Sequence, residues 1–353
     1  MKIAILIPSL NTGGAERTAV ALANWLSTNT DVEVHLINLG KNDNNYNINE
    51  KVNFYNKPKG NGILKKVVCF FDVIKYMNKV KPDVLFEMLF HPLKYALIYK
   101  IFHWKSVIIG SERANPKGYK TMKLKFLCRI CPVLCNGYIF QTEKVQNMFP
   151  KYIRKKSIVI PNAISNPDVY SFKKSENKQK RLINVGRLNS HKGQDILIKA
   201  FAKVVKLCPE YELFIYGEGE LREELQSLIE KLGLEKKVFL PGAVNNVINE
   251  VSKSEIFVMS SRYEGMPNAL LEALAIGMPC ISTNCTDLVI HEKNGLVVEI
   301  DDIDQMANTI VRMLNNKGLQ ETLSKEAKKV MHQHSTDNIY TRYYDFFKKV
   351  YKN

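Results

Sequence analysis

The sequence predicts an α/β protein built from two Rossmann-like, doubly wound domains in tandem. Three observations predict it. Short apolar runs alternate with helical periodicity along the chain, the rhythm breaks once near the middle, and each half opens with a strand running into a glycine-containing loop and a helix. A length of 353 residues also exceeds one typical core and favours two.

In the first half, "KIAILI" reads as a strand, residues 15–28 as a helix and "VEVHLINL" as a strand. A second helix over 63–79 lines up Ile63, Val67, Phe70, Phe71, Ile74 and Met77 on one side. "DVLFEML", "SVIIG" and "GYIFQ" read as further strands, the rhythm of βαβ units and a parallel sheet. Residues 162–180, "NAISNPDVYSFKKSENKQK", are polar, contain Pro167 and lack periodicity, and so read as an interdomain linker. The rhythm restarts with strand "RLINVG", helix 193–207, strand "YELFIYG", helix 220–232, strands "KVFLPG" and "EIFVMS", a helix from about Pro267 and strand "PCIST". The domains are therefore placed at 1–165 and 175–335, and "IYTRYYDFFKKVYKN" reads as a final helix within 336–353.

Composition narrows the class. Hydrophobic content of 45% with 24% charged residues is that of a soluble globular protein. The apolar run before Pro8 is too short for a signal peptide, and no run of about 18 apolar residues could span a bilayer. The chain is expected in the cytoplasm, free or peripheral on the inner face of the plasma membrane. Seven cysteines, mostly inside apolar segments, suit a reducing compartment. Cys128, Cys131 and Cys135 contain a C-x-x-C, but no Cys or His nearby completes a metal site, so buried thiols are expected. Residues 1–170 hold 25 basic against 11 acidic residues, net +14, whereas 171–353 hold 26 against 24, net +2. A strongly basic half could meet nucleic acid, anionic lipid or a polyphosphate substrate, or could serve solubility alone. It carries no recognition-helix motif or aromatic-basic RNA signature, so no nucleic-acid partner is expected.

Ligands of parallel α/β sheets bind at the carboxyl ends of the strands, and the candidate residues gather there. Gly13 and Gly14 in "LIPSLNTGGAER" precede a helix and let backbone approach a ligand, although neither a dinucleotide fingerprint nor a P-loop is present. "GRLNSHKGQD" places Arg187 and Lys192 between a strand end and a helix start, where two cations can bracket a diphosphate. "YGEGELREEL" places Gly217 and Gly219 at the next strand end, as a site for a base or as a simple turn. In "SRYEGMPNALLEALAIGMPC", Pro267 suits a first helical turn, which leaves Glu264 in the preceding loop and Glu272 inside the helix. Apolar neighbours leave Glu272 little polar face, so its carboxylate needs a partner, and sugar hydroxyls would suffice. The one D-x-D string, Asp302-Ile303-Asp304, precedes an amphipathic helix and reads as a cap rather than a metal site.

The E-x7-E spacing of "EGMPNALLE", with "GGAER", "VGRLNSHKG" and "YGEGEL" in that order, resembles the retaining glycosyltransferases of family four, which have the GT-B fold. The resemblance runs along nearly the whole chain. It implies two domains facing a central cleft, with the C-terminal helix crossing back to the N-terminal domain. It also implies transfer of a sugar from a nucleotide-diphosphate sugar to a glycan acceptor, without metal or other cofactor, in bacterial surface polysaccharide or lipopolysaccharide assembly. Glu264 would hold hydroxyls of the transferred sugar and Glu272 the ribose. Arg187 and Lys192 would neutralise the diphosphate, helped by backbone N–H groups around Gly265, Met266, Pro267 and Asn268. Gly14 would bring backbone against the donor, and a UDP-sugar is expected ahead of a GDP-sugar. A sugar-nucleotide epimerase of similar shape is the alternative.

Two features depart from the family pattern. Arg113 stands in "IIGSERANP" where many relatives have a His, and a guanidinium is not a usable base. Arg113 and His91 are carried as donor or acceptor contacts only. The segment "STNCTDLVIHEKNGLVV" also lacks the family's paired glycines. In "KGYKTMKLKFLCR", Lys120, Lys123 and Lys125 interleave with apolar residues as on a basic amphipathic helix that could lie on an anionic membrane or face a lipid-linked acceptor, or could simply pack as a surface helix.

Overall fold

The structure, a computed structural model, describes residues 1–11, 13–40, 46–57, 63–88, 93–113, 116, 121, 129–130, 132–172 and 179–352, the side chains of 63–67, 69 and 93 aside. Its contacts divide the chain into two units, Met1–Ser165 with His334–Asn353, and Asn166–Gln333.

The first unit is built on a parallel sheet of β1 (Lys2–Ile7), β2 (Glu33–Asn38), β3 (Asn53–Asn56), β4 (Val84–Met88), β5 (Val107–Glu112), β6 (Gly137–Phe140) and β7 (Ser157–Val159). The strand order is β3-β2-β1-β4-β5-β6-β7. Strand β1 shows why its sequence is a continuous apolar run. Ile3, Ile5 and Ile7 enter one core with Leu22 and Leu26 of helix α1 (Gly14–Asn29), while Ala4 and Leu6 enter another with Met77 of α2 (Ile63–Val80) and Tyr99 of α3 (Leu93–Phe102). Both faces of the sheet are covered, so alternation with polar residues disappears.

The C-terminal helix (Thr336–Lys352) completes the first of these cores with Ile339, Tyr340, Tyr343 and Phe347, all fully buried. Each such side chain contributes about 1.5–3 kcal/mol, an upper figure because the unfolded chain hides part of that surface. Trp25 Nε1 donates to Asp337 Oδ1 at 2.7 Å and Arg342 Nη2 to the carbonyl of Val159 at 2.6 Å, which fixes the helix along its length.

The second unit repeats the plan with β8 (Arg181–Val185), β9 (Glu212–Tyr216), β10 (Val238–Gly242), β11 (Ile256–Met259), β12 (Cys280–Thr283) and β13 (Leu296–Val298), ordered β10-β9-β8-β11-β12-β13 and all parallel. Its main helices are α4 (Gln194–Leu207), α5 (Arg222–Lys231), α6 (Asn268–Ala275) and α7 (Ile303–Leu314). Strand order reverses between β1 and β4 in one sheet and between β8 and β11 in the other. Loops leaving the two strands of such a reversal diverge and open a crevice at their carboxyl ends.

The stretch read as a linker is partly core. Ala163 and Ile164 are buried, and Ile164 N–H donates to the carbonyl of His334 at 2.8 Å. Pro167–Tyr170 then forms a short helix capped by Asn166, so the second unit begins at 166 rather than 175. Three apolar residues, Ala163, Ile164 and Val169, decide this, and the polar residues around them hid the pattern. Residues 173–178 lie outside the described residues.

Candidate functional site

The second unit's reversal point gathers charged side chains from both of its loops. The chain leaves β8 through Gly186 and Arg187, winds a short 3-10 turn at Ser190–Lys192, and enters α4 through Gly193 in a left-handed conformation, φ 63°. On the other side of the reversal it leaves β11 through Ser260 to Glu264. Lys192 Nζ reaches across to Glu264 Oε1 at 2.7 Å, with the two side chains only 20% and 11% exposed. Ser261 Oγ donates to the same oxygen at 2.8 Å. The sequence-predicted cation and carboxylate, 72 residues apart, thus meet in one hydrogen-bonded cluster. A partly buried pair of this kind orders its neighbourhood more than it stabilises the fold, but losing one partner strands the other charge away from water.

Two further contacts hold the loops in register. Ser260 Oγ donates to the carbonyl of Lys192 at 2.9 Å. Arg262 N–H donates to the carbonyl of His191 at 2.7 Å, and its guanidinium pairs with Asp195 (2.8 Å), in the first turn of α4, and with Asp301 (2.7 Å). His191 stacks on Tyr263 at 5.2 Å, and burial, the largest influence on it, draws its imidazole below the ordinary histidine range and keeps it neutral near pH 7. Ser261, Arg262 and His191 were not singled out from sequence. Their place directly beside Glu264 and Lys192 was the available signal.

Arg187 is exposed and makes no ion pair among the described residues. Its carbonyl accepts from Gln194 Nε2 at 3.1 Å. Gly217 and Gly219 follow β9, and here glycine is required. Gly217 has φ 141° and a Cβ on it would come within 2.0 Å of the carbonyl oxygen of Gly186, while a Cβ on Gly219 would meet that of Leu188 at 2.2 Å. The β9 loop can therefore press against the Arg187 loop. Glu218 pairs with Arg222 at 3.2 Å, which is a helix-start role.

Gly265 and Met266 lead into α6, whose N-cap is Pro267, a residue with no side-chain acceptor for the first-turn N–H groups, and whose first residue is Asn268. Such a terminus favours an anion. Glu272 lies one turn further on, 4% exposed, and accepts from Asn166 Nδ2 at 3.4 Å. The partner that its burial demands comes in part from the protein itself.

In the first unit, Gly13 is the extended N-cap of α1 and Gly14 its first residue. Arg113 donates through Nη1 to Tyr343 Oη at 3.1 Å and through Nη2 to Asn162 Oδ1 at 2.5 Å, so its guanidinium ties the end of β5 to the C-terminal helix. His91, Lys120, Lys123 and Lys125, like Cys128 and Cys131, lie outside the described residues. Asp302 caps α7 by accepting from Gln305 N–H at 2.8 Å, and Asp304 pairs with Lys203. Among the described residues no cluster of three His, Cys, Asp or Glu is arranged to hold a metal ion, and no helix is long and apolar enough to cross a membrane.

Comparison with known proteins gives the family and the fold. Residues 168–330 match the family model described as glycosyl transferases group 1. The chain is 32% identical over 350 residues to N-acetylgalactosamine-N,N'-diacetylbacillosaminyl-diphospho-undecaprenol 4-alpha-N-acetylgalactosaminyltransferase of Campylobacter jejuni, covering 93% of this chain and 94% of that one. It is 28% identical to a second Campylobacter jejuni enzyme, GalNAc-alpha-(1->4)-GalNAc-alpha-(1->3)-diNAcBac-PP-undecaprenol alpha-1,4-N-acetyl-D-galactosaminyltransferase, over 93% of both chains. The solved structure of Anabaena HepE in complex with UDP and glucose superimposes with a TM-score of 0.82 at 17% identity, covering 99% of this chain and 100% of that one, which shows the GT-B fold.

Proposed function

We propose, from the premise that the chain belongs to the family-four, group 1 glycosyl transferases, that this glycosyltransferase moves a sugar from a UDP-sugar to a lipid-linked glycan with retention of anomeric configuration. The observation that carries the donor site is the Lys192–Glu264 pair at the β8/β11 reversal, with Arg187 exposed beside it. Breaking the sugar–phosphate bond moves an electron pair onto the diphosphate. Preorganised cations and helix-start N–H groups lower the barrier most when aimed at that charge. The ammonium of Lys192 has three N–H donors and gives one to Glu264, so it can serve carboxylate and phosphate together.

Arg187 supplies a planar fork for the same diphosphate, and the start of α6 adds its N–H groups. Glu264, steered by Lys192 and Ser261, accepts from hydroxyls of the transferred sugar. Glu272, one turn into α6, takes the ribose. None of these roles draws on a metal or organic cofactor. The names of the two Campylobacter jejuni relatives, both acting on undecaprenol-linked saccharides, support a lipid-linked acceptor and work at the inner face of the plasma membrane.

The test is a thermal-shift screen of UDP- and GDP-sugars, followed by transfer of radiolabel from the stabilising donor to undecaprenol-linked saccharides. Lys192→Ala and Glu264→Ala should each lower turnover by about 10²–10³-fold while keeping the wild-type circular dichroism. Full activity in both variants, or isomerisation of the donor without transfer, would overturn the reading.

A further inference from the structure

The short turn that carries Lys192 also carries a histidine to which the donor chemistry gives no task. His191 is partly buried, and its ring lies against that of Tyr263, 5.2 Å between centroids and 25° from parallel. The turn itself is fixed at three successive carbonyls by the loop after β11. Arg262 Nη1 donates to the carbonyl of Ser190, Arg262 N–H to that of His191 at 2.7 Å, and Ser260 Oγ to that of Lys192 at 2.9 Å. Backbone and ring are therefore held in place by the protein alone.

What the ring lacks is a hydrogen bond. Among the described residues, His35, His103, His291 and His334 each engage a ring nitrogen with a protein partner, and His332 is exposed to water. His191 engages neither nitrogen, although it is partly shut off from water. The influences on it are closely opposed. Burial, the largest, favours the neutral ring, and so do the charges of Lys192 and Arg187, whereas Glu264 after β11 and Glu220 after β9 favour a positive one. The remaining charges of these loops are spent on one another, Arg262 with Asp195 and Asp301. A diphosphate held by Arg187 and Lys192 would bring about two negative charges into the same loops, and opposite charge nearby favours the charged form of a titrating group.

We propose that His191 binds the donor together with a proton: as a nucleoside diphosphate enters beside Arg187 and Lys192, the imidazole takes up one proton from water and gives the resulting N–H to a phosphate oxygen. This inference rests on the donor reading above and adds to it a residue and a proton. The stack on Tyr263 occupies one face of the ring and leaves the edge with the nitrogens to the ligand. The phosphate gains charge as the sugar–phosphate bond breaks, so the hydrogen bond strengthens towards the transition state. Binding and protonation are then linked. Affinity is greatest below the midpoint of the free ring, falls by up to about tenfold per pH unit between the midpoints of the free and the bound ring, and is level again above the latter.

The probe is UDP, titrated calorimetrically into the full chain across about pH 6–9 in buffers of different ionisation heat. UDP has a titrating phosphate of its own, so the comparison is with His191→Gln, which keeps a side-chain N–H but takes up no proton. Expected in wild type are an uptake of up to about one proton more than in the variant and an affinity that falls more steeply with pH. His191→Gln should bind UDP about tenfold more weakly at the acid end, where wild type offers a charged donor. Nitrogen-15 NMR of the seven histidines should show one titration midpoint, missing from the variant, that rises by about one pH unit or more when UDP is added. His191→Asn takes the place of the glutamine variant should that one unfold. Equal proton uptake in wild type and variant, or a His191 midpoint that UDP leaves in place, would overturn the inference and make the stack on Tyr263 a packing contact. UDP binding that depends on Lys192 but not on His191 refutes the proton-linked residue alone, and wild-type protein that binds no UDP refutes the donor reading and this inference with it.

Discussion

The two parallel sheets reverse strand order in the same manner, yet their reversal regions are equipped in opposite ways. In the second unit the strands end in charged side chains that engage one another: Lys192, Glu264, Arg262 and Asp195, with Arg187 beside them. In the first unit, β4 carries Glu87, 1% exposed, with no hydrogen-bond partner on either oxygen among the described residues, and the nearby cation Arg113 is committed to Asn162 and Tyr343. In the more basic unit Arg113 is engaged by the unit's own core, whereas the nearly neutral unit pairs several charges at a strand edge. Net charge is therefore a poor guide to where a domain can do chemistry, and paired charge at a reversal point is a better one.

Two arginines sharpen the contrast. Arg262 joins the loop of Lys192 to the loop of Glu264, so removing it should loosen the site more than the fold. Arg262→Ala is expected to cost up to about 10²-fold in turnover, the scale of a small misplacement of catalytic groups. Arg262→Lys should recover part of it, because one ammonium can reach Asp195 or Asp301 but not replace the fork. Steady-state kinetics beside urea unfolding would check this, and a large stability loss with unchanged turnover would assign Arg262 to the fold instead.

Arg113 should behave the other way. Arg113→Ala leaves Asn162 Oδ1 and Tyr343 Oη without this donor and should cost about 2 kcal/mol of stability. Turnover should hold within about threefold, well under the 1.4 kcal/mol that makes tenfold. A lost activity in a variant of wild-type stability would return Arg113 to the role of a substrate contact.

How far the sequence could be read follows the same physics. Strands buried on both faces, such as Lys2–Ile7 and Ile256–Met259, stand out as apolar runs, whereas the edge strand Asn53–Asn56 is short and largely exposed, with two asparagines around Phe54 and Tyr55, and gives no such run. Glu264, Arg187 and Lys192 stand out in the sequence because a loop motif carries each of them locally, and the fold brings Lys192 and Glu264 together. The clamp of Arg262 was not, since its partners His191 and Asp195 come from a loop about 70 positions away that only folding brings near. The contacts of Arg113 were hidden for the same reason: its partners Asn162 and Tyr343 lie 49 and 230 residues along the chain.

The smallest expected effect separates the units by pH. Glu250 lies in the second unit. Burial, the largest influence, pushes its carboxyl up, but hydrogen bonds from Lys253, Arg181 and Tyr216 together prevail and bring it down to about 2. A depressed folded-state value means stability that is present above the usual carboxylate range and is lost as pH falls towards about 2. Glu87 has the reverse sign, because burial alone raises it well above the ordinary range. The folded first unit binds that proton more tightly than the unfolded chain, so its stability is complete in acid and declines as pH rises through the folded value, by at most about 1.4 kcal/mol per pH unit. Replacing Glu87 by Met, similar in volume and without charge, should therefore gain stability relative to wild type as pH increases, while Glu250→Gln should lose its penalty as pH decreases. Urea unfolding of both variants across the acid-to-neutral range measures the two differences. Stability differences from wild type that stay constant with pH would show that neither carboxyl changes its proton affinity on folding.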